Sequence, residues 1–139
     1  MGEPQIGTLL RQAHVAFRWT VISLLRKDSL ELTDQDRDAI AAAVGASEAR
    51  CVLVTHGTDT MVDTERRLVG VAPEKTIVLT GSMQPATQRD SDAVFNIGFA
   101  VGVLRCREAG VWIAMNGAVF APDAVRENRD AQRFEALDR

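Results

Sequence analysis

The sequence predicts an α/β fold of three layers, a mostly parallel sheet with helices on both faces, in one domain over residues 1–139. Three observations predict it. Short apolar runs at 51–55, 75–79 and 111–115 read as strands buried on both faces. Helical stretches separate them, each closed by a glycine, Gly70 or Gly110. Strand and helix alternating in this way mean parallel strands with right-handed crossovers, here at 56–74 and 81–110.

Taken in order, residues 4–13 read as a helix with Ile6, Leu9, Leu10 and Ala13 on one side, and Pro4 suits its start. An α/β domain usually opens with a strand, so the expectation is that in-frame sequence upstream supplies one. Val15 to Leu24, rich in β-branched and aromatic residues such as Phe17, Trp19 and Val21, reads partly as a strand. A loop through Arg26, Lys27, Asp28 and Ser29 follows. Thr33 and Asp36 have the spacing of a capping pair, opening a helix that runs to about Val44 and stops at Gly45. After the strand at 51–55, Met61 to Leu68 reads as a helix. The helix beginning at Ser91 carries Val94, Ile97, Val101 and Leu104 at spacings of three and four, which predicts its apolar face. Asn116-Gly117 is a turn pair before a short strand at 118–120. The charge-rich end from Arg126 reads as partly helical and partly frayed.

Bulk composition narrows the function. A chain of 139 residues, 46% hydrophobic and 25% charged, is long enough for one real core. A net charge of −3 gives no reason to expect nucleic acid or an anionic membrane as partner. No run approaches a transmembrane length, and Met-Gly-Glu-Pro is not a signal peptide, so a cytoplasmic location is expected. Cys51 and Cys106, far apart in sequence, are expected to be buried free thiols. No cluster has metal-ligand spacing, and no loop has the glycine pattern of a dinucleotide or phosphate site, so no cofactor is expected.

Chemistry concentrates in Cys51-Val-Leu-Val-Thr-His-Gly-Thr-Asp-Thr-Met61. Its turn lies at the carboxyl end of a strand and the amino end of a helix, where open α/β sheets place ligands and where free N–H groups favour a carboxylate. By spacing alone, Thr58 and Asp59 read first as a helix N-cap and a charge favourable to its dipole. The alternative is a hydroxyl for attack and a carboxylate to hold a cation. His56 reads as ordering its turn, and His14 as a loop residue.

The string His56-Gly-Thr-Asp-Thr-Met61, after a strand ending in Val-Thr, resembles the second signature of the bacterial asparaginases, the Thr-dependent amidohydrolases. Thr80-Gly-Ser-Met-Gln-Pro-Ala86 with Ser91, Asp92 and Asn96 resembles a further loop of that family. Asp28-Ser29 before Thr33 resembles its substrate loop, and Val111 to Asn116 its next strand. The patches keep the family's order over about residues 25 to 128. The resemblance implies the family's N-terminal, Rossmann-like domain and deamidation of asparagine, often also glutamine, to the acid and ammonia. It implies that Thr58 attacks the amide or polarises water, and that Asp59 holds the substrate α-ammonium. Ser29, beside Asp28, would bind the α-carboxylate. The Ser82 carbonyl would accept from the substrate amide, with Gly57 and Met83 completing the binding set. A threonine hydroxyl needs a base or cation nearby. The family places a lysine after the fourth strand; Asp123-Ala-Val-Arg126 lies there instead, which makes Arg126 the candidate cation, though not a base.

Departures carry equal weight. The family's opening strand with a Gly-Gly-Thr-Ile turn, whose threonine is the principal nucleophile, has no counterpart in this chain, and there is no tyrosine at all. The family's second domain, which completes a neighbouring subunit's site, is absent from it too. Gln84 stands for arginine, Ala93 for glycine, and Leu30 where glutamine is common. The expected activity is therefore an asparaginase-type hydrolysis of L-asparagine, impaired by the missing threonine. The alternatives are a catalytically inactive amino-acid-binding module, or a subunit whose exposed sheet edge needs a partner. A homo-oligomer acting on a small amino-acid amide is expected.

Overall fold

The computed structural model describes residues 5–25, 29–84, 89 and 91–137. Helix α1 is Gln5–Gln12, followed by an irregular segment and a 3-10 turn at Ser29–Glu31. Then come α2 (Asp34–Ala46), β1 (Cys51–Thr55), α3 (Met61–Leu68), β2 (Thr76–Thr80), α4 (Ala93–Cys106), β3 (Gly110–Met115) and β4 (Ala118–Phe120). Strands β5 (Val125–Asn128) and β6 (Arg133–Ala136) form a separate hairpin. The main sheet has the order β1-β2-β3-β4, parallel except for the β3–β4 pair.

Packing explains the three layers. Strand β2 sits centrally and is buried throughout. On one face, Ile77, Leu79, Ile113 and Met115 meet Ile40 and Val44 of α2 and Met61 and Leu68 of α3. On the other, Val78 and Ala114 meet Ala100 and Val103 of α4. The capping pair forms as expected: Asp36 N–H donates to Thr33 Oγ1 at 3.1 Å, and Thr33 N–H to Asp36 Oδ2 at 2.9 Å. Lys75, buried, donates its ammonium to the Val44 carbonyl at 2.8 Å and also to Ser47 O, which satisfies the carboxyl end of α2. The Asn116-Gly117 turn forms with both residues at positive φ, 56° and 77°, as a tight hairpin between β3 and β4 requires.

Several expectations are corrected. Residues 15–24 form no strand; among the described residues their β-branched run has no neighbouring strand to pair with. Phe17 and Trp19 instead lie under Arg105 and Arg11, with 5.0 and 5.6 Å from guanidinium carbon to ring centre. Helix α2 continues through Gly45 to Ala46, since one glycine costs a helix only about 1 kcal/mol. In α4 the inward residues are Ala93, Asn96, Ile97, Ala100 and Val103, while Val94 is exposed. That helix is apolar on nearly every side, so spacing could not select its inner face. Both cysteines are free but exposed, Cys51 at the start of an edge strand and Cys106 on the outside of α4. The charge-rich end is a hairpin, not a helix. Val125 and Phe134 point into the core, while Arg126 meets Glu135 across the strands on the outer face.

Strand β1 has one partner among the described residues, β2. Beside its other edge runs a groove of about 990 Å³, walled by Phe17, Trp19, Val21, Val44 and Leu104 among others.

Candidate active site

The corner after β1 and the loop after β2 meet backbone to backbone at the carboxyl end of the sheet. His56 N–H donates to Thr80 O at 2.9 Å. A Cβ on Gly81 would fall 2.1 Å from His56 O, so only glycine lets the two loops come this close. His56 is fixed on both sides. Its Nδ1 lies 2.6 Å from Gly57 O and its Nε2 2.7 Å from Thr64 Oγ1. A carbonyl can only accept, so Nδ1 carries the proton and Nε2 accepts from the threonine hydroxyl. Burial holds the imidazole pKa below its usual value, against the opposing effect of the Gly57 hydrogen bond. A neutral ring with both nitrogens engaged orders the turn, as expected from sequence.

Thr58 and Asp59 follow. The N-cap of α3 is Thr60, and its side chain makes no capping hydrogen bond. The first turn closes through the backbone, with Met61 N–H donating to Thr58 O at 3.4 Å. Asp59 is instead held by an arginine 70 residues onward: Arg129 Nη2 lies 2.7 Å from Asp59 Oδ1. The same guanidinium points Nε toward Glu127 Oε2 at 3.7 Å. Glu127, on the inward face of β5 with Val125, is nearly buried, with 10% of its side chain exposed.

The second loop is pinned by α4. Asp92 accepts from the backbone N–H groups of Met83 and Gln84 at 2.9 and 3.0 Å. Asn96, fully buried, donates to Gly81 O at 3.0 Å and Asp92 Oδ2 at 2.9 Å, and accepts from Asn116 N–H at 3.0 Å. Asn116 Oδ1 in turn accepts from Phe134 N–H at 2.7 Å. One chain of hydrogen bonds thus links the Ser82 loop to the hairpin that carries Arg129. Such a network of linked hydrogen bonds favours one arrangement of its loops.

Of the residues expected from sequence, Gly57, Thr58 and Asp59 lie on the β1 corner and Ser82 and Met83 on the adjoining loop. Ser29 opens the 3-10 turn, and Asp28 lies outside the described residues. Arg126 faces outward on β5, where its Nη2 donates to Glu135 Oε2 at 3.1 Å. The long groove reaches His56 and Gly57 at one end; Thr58, Asp59 and Ser82 are not part of its wall. Sequence reading missed Arg129 and Glu127. The alternation Val125, Glu127 was a signal that Glu127 turns inward, but a pairing across 70 residues leaves no local trace. Among the described residues no group of three or more His, Cys, Asp or Glu could hold a metal ion, and no helix is long and apolar enough to cross a membrane.

The fold and the site together define an α/β domain with a polar, charged corner at the strand ends, of the kind that receives small polar ligands. The chain belongs to the asparaginase family: the model of its N-terminal domain, "Asparaginase, N-terminal", matches residues 4–139. It is 36% identical over 110 residues to the glutaminase-asparaginase of Acinetobacter glutaminasificans, covering 73% of this chain and 33% of that protein. It is 33% identical over 90 residues to L-asparaginase 2 of Escherichia coli K12, covering 62% of this chain and 24% of the relative. The chain thus spans a third or less of the length of these relatives. Among solved structures, the thermostable L-asparaginase of Thermococcus kodakarensis superposes over 94% of this chain and 43% of its own, with a TM-score of 0.80 at 24% identity, a likeness of fold. A probable cytoplasmic L-asparaginase from Campylobacter jejuni gives 0.73 at 29% identity, over 81% of this chain and 40% of that one.

Proposed function

We propose that this chain provides the substrate-binding corner of an asparaginase-type amidohydrolase that converts L-asparagine and water to L-aspartate and ammonia. The observation that carries this reading is the backbone contact of His56 with Thr80 and Gly81, which joins the Thr58–Asp59 corner to the Ser82 loop. Asp59 holds the substrate ammonium, Ser29 takes part in binding its carboxylate, and the Ser82 carbonyl accepts from the amide N–H. Gly57 and Met83 line the site. Thr58 supplies the hydroxyl that attacks the amide carbon or polarises the attacking water. Arg126, the cation expected from sequence, faces outward, and the cation in contact with this corner is Arg129, on Asp59. The relatives named for glutaminase as well as asparaginase activity favour glutamine as a second substrate. An ammonia-release assay with each amide tests the reading. Release above background from asparagine is expected. Neither release nor binding of L-aspartate would overturn it, whereas aspartate binding without release would identify an amino-acid-binding module.

The free edge of β1 favours a role in assembly as well. With no second strand on it among the described residues, and beside an apolar groove, this edge suits pairing with another chain. Sedimentation equilibrium at micromolar concentration is expected to give a species larger than the monomer; a stable monomer would contradict this.

A further inference from the structure

We infer that Arg129 positions the substrate: its guanidinium takes the α-carboxylate of the amino acid whose α-ammonium sits on Asp59. The inference rests on the proposed function and adds a residue to it. Arg129 begins the turn of the β5–β6 hairpin. That turn is braced by Gln132 N–H donating to Arg129 O at 3.2 Å and Ala131 N–H to Asn128 Oδ1 at 3.1 Å. The hairpin is closed at its base by Leu137 N–H on Ala124 O at 3.0 Å and anchored to the sheet by Phe134 on Asn116, and the segment leading into it is held by Arg66 Nε on Asp123 at 2.7 Å. Arg129 therefore reaches Asp59 from a fixed base and not from a loose terminus.

The pair has the charge pattern of an amino acid's α-carbon in reverse. Asp59 and Arg129 lie in contact at 2.7 Å, one negative and one positive. A zwitterion bears its ammonium and carboxylate on a single carbon, so it can lie alongside this ion pair with each charge against its opposite. Both partners keep capacity for the ligand. A carboxylate offers about four lone-pair positions, and one is used by Arg129. A guanidinium offers five N–H groups in a planar fork matched to carboxylates, and this one has 63% of its side chain exposed. Glu127, almost buried and 3.7 Å from the guanidinium Nε, adds a second negative charge that makes a lone anion a poorer ligand than a zwitterion.

The test measures binding of three small probes to the whole chain by calorimetry, before and after Arg129→Gln. L-aspartate carries both charges, 3-aminopropanamide has the ammonium and amide without the α-carboxylate, and succinamate has the carboxylate without the ammonium. Wild type should prefer L-aspartate. Arg129→Gln should weaken L-aspartate about tenfold or more, the worth of a hydrogen-bonded charge, and leave 3-aminopropanamide unchanged or tighter. Arg129→Lys, which keeps the charge and loses the fork, should fall between. Equal tightening of L-aspartate and 3-aminopropanamide in Arg129→Gln would mean that Arg129 merely competes for Asp59, and would overturn the inference. Unchanged affinity for L-aspartate would overturn it too. Either result leaves the proposed function standing, whereas a wild type that binds none of the probes removes both. Thermal unfolding of each variant within a few degrees of wild type separates these outcomes from loss of fold.

Discussion

Thr58→Ala and Asp59→Ala should each bring ammonia release from asparagine to background. The two variants should differ in binding. Asp59→Ala removes the only carboxylate placed on the corner itself and should weaken L-aspartate about tenfold or more, since a hydrogen-bonded charge is worth about 1.5–3 kcal/mol. Thr58→Ala removes a hydroxyl needed for reaction and should leave aspartate affinity within a few-fold of wild type. Neither change should unfold the chain. The side chain of the α3 N-cap, Thr60, does not cap the helix, and Asp59's contact with Arg129 is half in solvent, worth about 1 kcal/mol or less. Loss of activity with fold intact is the signature of a site. Full activity in both variants would mean that the chemistry lies elsewhere.

Glu65→Met should stabilise the protein, and more strongly as pH rises. Glu65 is fully buried on α3, and among the described residues neither carboxylate oxygen has a hydrogen-bond partner at normal geometry. Burial, with a smaller contribution from the nearby Asp123 charge, pushes its pKa up to about 8, against partial relief from Arg66. The sign follows from proton counting. Below pH 4.5 folded and unfolded chains both hold the proton, and Glu65 costs no ionisation energy. Between 4.5 and about 8 the unfolded chain releases it while the folded chain keeps it, so stability falls with rising pH. Above about pH 8 the loss is complete, at an upper bound of about 4–5 kcal/mol. Methionine has nearly the same length and no charge. Denaturant midpoints should therefore separate little between wild type and Glu65→Met at pH 4.5, and widely at pH 8.5. A separation that stays constant across this range would show that Glu65 does not titrate in the fold. Glu65 is next in sequence to the Thr64 that holds His56. At alkaline pH its ionisation would loosen the helix that supports the site.

What could be read from the residues was local. The strand-to-helix turn after Thr55, the Thr33–Asp36 capping box, the turn at Asn116-Gly117 and the stop at Gly70 each depend on a few neighbouring residues and formed as read, although the α3 N-cap is Thr60 and not Thr58 or Asp59. What could not be read depends on distance or on competition among equals. Val15 to Leu24 has the composition of a strand, but a strand exists only with a neighbour, and none pairs with it among the described residues. The outward residues of α4 are as apolar as the inward ones, so the sheet, not the helix, decides which face is buried. Glu65 has the look of a solvated helix residue and is swallowed where α3 packs on β3. The β5–β6 hairpin hid behind its charges, which pair across strands on one face and leave Val125 and Phe134 for the core. Arg129 followed from that error: with the hairpin unread, nothing brought residue 129 to residue 59.

The central claim is that the corner at His56–Thr60 and the loop at Ser82 form one receptor for a small zwitterion. Titration of the isotopically labelled chain with L-aspartate, followed through backbone amide resonances, tests this directly. The account predicts shifts concentrated at residues 57–60, 81–84 and 129. Shifts confined to the groove along β1, or none at millimolar aspartate, would contradict it.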